Sequence, residues 1–111
     1  MKISISFNRF IFGVVLEELR RPNIVLTFRE VGFKFRTSQI SKESMRNLLK
    51  YLDLDYPRDD RNEPLSYTKL TSREMSDHVK WIELKAMESG HEMRHIAEQW
   101  ERLLNQSGIY K

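Results

Sequence analysis

From Thr71 onward the apolar residues fall on a seven-residue repeat, and no other feature restricts the folding of this chain as much. Val79, Ala86, Met93 and Trp100 take one seam position, Met75, Ile82, Ile96 and Leu103 the other, and only Ser89 is out of character. This spacing puts all of them on one stripe of a helix, and such a stripe has to be covered. Thr71 and Glu74, three residues apart at its start, have the spacing of a capping box.

Length turns the stripe into an expectation about assembly. Read as one helix over residues 72–105, it extends about 50 Å at 1.5 Å per residue, whereas a compact domain of this size is roughly 34 Å across. A seam that overhangs its own domain needs a partner. A second copy of the same helix supplies one, so a homodimer through the C-terminal helix is expected. The competing reading breaks the helix at Ser89-Gly90, with Ser89 capping a second helix and Glu92 completing its capping box, and folds a helical hairpin back into a monomer.

The first half reads differently. Lys2 to Phe7 alternates apolar and polar residues as a half-buried strand does. Residues 8–21 fit a helix behind Asn8, since Leu16 to Arg21 is strongly helix-forming, although Phe10, Phe12, Val14 and Leu16 would also serve as a strand face. Residues 24–37 predict a hairpin around Glu30-Val31-Gly32. Ser41 caps a helix over 41–53 with Met45, Leu48, Leu49 and Leu52 facing the core, and the Pro- and Asp-rich stretch that follows predicts a loop with a mobile tip. The expected fold is a single α+β domain over 1–111. Residues 1–56 form a three- or four-stranded antiparallel sheet with a short helix, 57–68 a loop, and 69–111 a long helix or helical hairpin.

Composition narrows the function. Without cysteine there is no disulfide framework and no thiolate ligand or nucleophile, which fits a reducing compartment. The longest apolar stretch, Phe10 to Leu16, is too short to span a bilayer and runs straight into charged residues, so neither a membrane span nor a secretory signal is expected and the localisation is read as cytoplasmic. Residues 1–50 hold ten Lys and Arg against four Asp and Glu, and residues 51–111 hold nine against twelve. That asymmetry suits either an anion-binding half or two halves that attract one another.

One segment carries a catalytic pattern. His91-Glu92-Met93-Arg94-His95 resembles, over five residues, the H-E-x-x-H motif of the zincin metalloproteases, in which two histidines one helical turn apart hold zinc and the glutamate activates its water. The resemblance implies His91 and His95 as ligands and Glu92 as base. Against it, the seam places His91 and His95 on the solvated side of the helix, Arg94 sits between them, and no histidine follows to complete the ligand set. Glu88-x-x-His91 and Glu92-x-x-His95 also resemble di-iron ligand pairs, but the 41–53 helix offers only Glu43 and Asp53 beside them. The reading is therefore no metal and no cofactor. With all three histidines assigned to one exposed-looking helix, a serine-histidine-aspartate triad has no obvious assembly, and four scattered glycines make no phosphate-binding loop.

Two binding surfaces remain. Arg29, Lys34 and Arg36 alternate with Phe28, Phe33 and Phe35 on the hairpin, so a nucleic-acid surface is conceivable, but alternation sends rings and cations to opposite faces while a stacking platform needs both on one. Trp81, Leu84 and Met87 form a second apolar strip on the long helix, to be packed on the sheet or left as a contact patch. Together with Trp100, these features point to a non-enzymatic protein acting by protein contact through its helical half and self-associating. A small regulator or inhibitor, of the kind a phage or mobile element carries, would suit. The alternatives are a nucleic-acid-binding regulator using Arg29, Lys34 and Arg36, and a zinc hydrolase using the HEMRH segment.

Overall fold

A computed structural model describes residues 11–21, 24–93, 96 and 98–102. The predicted strand from Lys2 to Phe7, the proposed cap at Asn8, His95 and Leu103 lie outside the described residues. The described residues open with a π-helical turn, Ile11–Val15, that runs into α1, Leu16–Arg20. Helix wins over strand here, and Val15, Leu16 and Leu19 are buried on one side of it.

The hairpin forms as expected. Strands β1, Val25–Phe28, and β2, Phe33–Arg36, pair antiparallel, with Leu26 opposite Phe35 and Phe28 opposite Phe33. Gly32, at φ 65°, closes the turn in the left-handed region that a side chain disfavours. Among the described residues the sheet has these two strands rather than the three or four expected: the expected strand at residues 2–7 lies outside them, and the alternative strand at residues 8–21 is helical over 11–20.

Helix α2, Lys42–Leu52, starts at Ser41, whose hydroxyl accepts the Ser44 N–H, and it buries Met45 and Leu49. It lies against α1, to which the 2.6 Å ion pair of Lys42 with Glu17 ties it. The loop beyond is a compact turn. The Asp59 carboxylate accepts the N–H groups of Arg61 and Glu63 at 2.9 and 3.0 Å, and Arg58 and Pro64 bridge across it.

Helix α3, Ser72–Glu88, carries both halves of the predicted Thr71–Glu74 capping box. It does not continue to residue 105. Gly90 takes φ 91°, the Gly90 N–H bonds to Met87 O at 3.0 Å and the His91 N–H to Ala86 O at 2.8 Å, which is the Schellman closure of a helix end. Ser89 ends α3 instead of capping a second helix. Its hydroxyl donates to Lys85 O at 2.8 Å and accepts the Thr27 N–H at 3.0 Å, and Lys85 reaches Glu30 in the hairpin turn. Helix reappears at 96 and 98–102.

The length argument for self-pairing therefore falls. Seventeen residues of helix are about 26 Å long, within a molecule whose principal extents are 36, 35 and 22 Å. Met75, Val79, Ile82 and Ala86 before the break, and Met93, Ile96 and Trp100 after it, all join one core with α1, β1 and α2 inside a single chain. The seam is real, and its partner is the rest of the same subunit.

Candidate functional site

Helix α3 presents a different site on each of two sides. On the first, Glu74, Asp77, His78 and Trp81 face the segment that leaves α2, and with Asp53, Asp55, Tyr56 and Pro57 they line a cavity of about 370 Å³. Asp53 caps α2 as the chain turns away, and its Oδ1 accepts the Asp55 N–H at 3.1 Å, which fixes the turn. Its Oδ2 then lies 2.8 Å from His78 Nδ1, while His78 Nε2 lies 3.2 Å from the Tyr67 hydroxyl.

All three members of this chain are buried: Asp53 is 5%, His78 1% and Tyr67 5% exposed. Burial lowers the His78 pKa, outweighing the opposing pull of the Asp53 carboxylate. A neutral ring facing a carboxylate through Nδ1 carries its proton there, so Nε2 accepts from the Tyr67 hydroxyl. Burial likewise raises both Tyr67 and Tyr56, keeping each a donor, and the Tyr56 hydroxyl donates to Leu65 O at 2.6 Å.

Rings pack around the histidine. Tyr56 meets it edge-on at 4.7 Å, and Trp81 stacks on it at 5.8 Å and on Phe28 at 5.6 Å. Behind Tyr67, Lys50 places its ammonium 4.3 Å over the ring, and burial followed by repulsion from Arg46 lowers its pKa to about 8. His78 is thus a core residue rather than one of three exposed histidines, because the α2 exit folds over that side of α3.

The second side is apolar. Val79, Lys80, Glu83, Leu84 and Met87 of α3, with Trp100 and Glu101 of the terminal helical segment, line a groove of about 380 Å³. Leu84 is 43% and Met87 57% exposed. The strip Trp81-Leu84-Met87 therefore divides: Trp81 packs on the hairpin, and the other two stay open to solvent.

The other sequence candidates fall elsewhere. Lys34 and Arg36 are exposed on β2, where the register sends them to the face opposite Phe33 and Phe35, and Arg29 sits in the turn and not on a strand. The hairpin brings these cations and rings to different sides. His91 is half-buried, its Nε2 3.8 Å from Glu18, and Glu92 is exposed; both lie in a non-helical stretch. The continuous helix that would set His91 and His95 one turn apart is interrupted there by the Gly90 closure. Among the described residues no group of three or more His, Asp or Glu is placed to hold a metal ion, and no helix is long and apolar enough to cross a membrane.

None of Asp55, Tyr56, Tyr67 and Lys50 is singled out by the sequence, and Asp53 is named there only as a carboxylate for a di-iron pair. A partial signal exists in Glu74, Asp77, His78 and Trp81, whose spacing shares one helical face. Comparison with protein-family models, curated proteins and solved structures finds no match to this chain.

Proposed function

We propose that this protein is a non-enzymatic binding module that holds an amphipathic helix of another protein in the groove between α3 and the terminal helical segment. The observation that supports it is the pair of open apolar side chains, Leu84 and Met87, beside Val79 and Trp100 in a groove about 380 Å³ in volume. An apolar channel between two helical walls suits the helix-in-groove mode, in which residues at i, i+3, i+4 and i+7 anchor the guest. Its charged rim selects the guest. Lys80 calls for an acidic side chain, and Glu101 for a basic one. By covering such a helix the module acts as a regulator or inhibitor of the protein that carries it.

The test is a photo-crosslinker installed at position 87, with the captured segment sequenced and resynthesised. The expected segment has a helical apolar stripe flanked by opposite charges. Its peptide binds the native chain, loses at least tenfold on Met87→Glu, and recovers when Lys80→Glu is paired with the reversed charge in the peptide. A captured segment without helical character, or one that binds Met87→Glu equally well, refutes the reading. Crosslinks between copies of this chain alone would instead make the strip a self-association surface.

A further inference from the structure

Among the described residues two lysines are buried, Lys85 and Lys50, and their surroundings are opposite. Lys85 is matched by the carboxylates of Glu30 and Glu88. Lys50, near the end of α2 and 9% exposed, has none: its nitrogen lies 4.3 Å over the Tyr67 ring, and the charge that acts on it is that of Arg46, one turn back on the same helix. Arg46 reaches the nearby acid Glu43 at 3.8 Å, which leaves Lys50 unmatched. Holding an ammonium in a core without an acid costs free energy, and attraction to a ring offsets only part of that cost. The lysines at 34, 69 and 80 are exposed and carry no such penalty.

We infer that Lys50 is a carboxylation site, its side-chain amine adding carbon dioxide to form a carbamate. Two conditions activate a lysine as a nucleophile, removal from water and a neighbouring cation, and Lys50 meets both. They lower its pKa to about 8, so about a quarter of the chains present the free amine at pH 7.5, against roughly one in a thousand for an ordinary lysine. In the reaction the Nζ lone pair forms a bond to the carbon of carbon dioxide, one carbon–oxygen π bond opens onto its oxygen, and the proton displaced from nitrogen passes to water. Nothing is oxidised or reduced. Charge favours this electrophile over an aldehyde: the carbamate is an anion where the ammonium was a cation, so repulsion from Arg46 becomes attraction, whereas an imine brings no anion to Arg46. Carbon dioxide is also linear and uncharged, and so reaches an amine that is almost covered. This site is separate from the apolar groove and does not rest on that assignment.

The experiment is carbon-13 NMR of the full chain equilibrated with carbon-13 bicarbonate at pH 7.5, where a carbamate carbon is read directly. The carbamate signal lost on Lys50→Arg is expected to be at least fivefold that lost on Lys34→Arg or Lys80→Arg. Lys50→Met, apolar at a buried position, repeats the assignment should the arginine variant unfold. In urea the difference between Lys50 and the exposed lysines disappears. Arg46→Gln, in protein whose thermal melt shows it folded, lowers the Lys50 signal at least threefold, since the activating cation and the counter-charge of the product are both removed. Met87→Glu leaves the signal unchanged, so failure here and failure of the groove are told apart. A Lys50-dependent signal no larger than that of the exposed lysines, one that survives unfolding, or one that folded Arg46→Gln leaves intact would each overturn the proposal. So would preferential labelling of Lys50 by butanal and cyanoborohydride without a carbamate there.

Discussion

Acidification provides a direct test of the buried Asp53–His78–Tyr67 chain. His78 is 1% exposed and its pKa is lowered by burial, so the folded state resists taking up a proton that the unfolded chain accepts near pH 6.5. Below that pH the unfolded state binds more protons than the native one, and stability falls as pH falls. The slope approaches about 1.4 kcal/mol per pH unit, so with the folded ring neutral throughout, His78 removes at most about 1.4 kcal/mol between pH 7.5 and pH 5.5. Above pH 7.5 it contributes no slope.

His78→Gln isolates this contribution, since every other group titrates in both proteins. The variant is less stable at pH 7.5 by on the order of 2 kcal/mol, because the packing against Tyr56 and Trp81 is lost. Its stability should then decline less than the native protein's on acidification. Urea unfolding followed by tryptophan fluorescence at pH 7.5, 6.5 and 5.5 measures both. Were attraction to Asp53 to outweigh burial, the folded ring would protonate first and the native protein would gain on the variant as pH fell. That outcome, or parallel pH profiles, refutes the reasoning.

Three further outcomes are expected. Gly90→Ala costs about 1–2 kcal/mol, because φ 91° is unfavourable for a side chain although space is open around the position; a thermal melt unchanged within a degree would contradict the closure described for α3. Lys50, with its pKa lowered to about 8, is neutral in the folded state above that pH while the unfolded chain still holds the proton, so stability rises between pH 8 and pH 10, and Lys50→Met abolishes that rise in chemical denaturation. Lys34→Glu with Arg36→Glu leaves capture of the helical guest intact, and native protein shows no salt-dependent anisotropy change with random oligonucleotides, since rings and cations occupy opposite hairpin faces.

Local order was legible in the residues themselves. The Thr71–Glu74 and Ser41 caps, the hairpin over 24–37 and the helix after Ser41 all depend on neighbours a few positions apart, where spacing alone states the geometry. The heptad stripe marked Met75, Val79, Ile82, Ala86, Met93, Ile96 and Trp100, all of which are buried. It did not say against what, because Ser89-Gly90 is compatible with a continuous helix until the Ser89 hydroxyl finds Thr27, 62 residues earlier, and Lys85 finds Glu30, 55 residues earlier. Periodicity carries no information about such partners.

The same divide separates the two candidate sites. Trp81, Leu84 and Met87 were visible as a strip, but only packing against Phe28 decided that Trp81 is covered and the others open. Asp53 and His78 lie 25 residues apart on different elements, and their pairing exists because the exit of α2 is laid across α3. By itself, then, the sequence determined the helices, the hairpin and the apolar stripe, whose causes are local. Tertiary structure decided where α3 stops, which charges are buried, and which carboxylates gather around the cavity, since those depend on contacts between segments far apart in the chain.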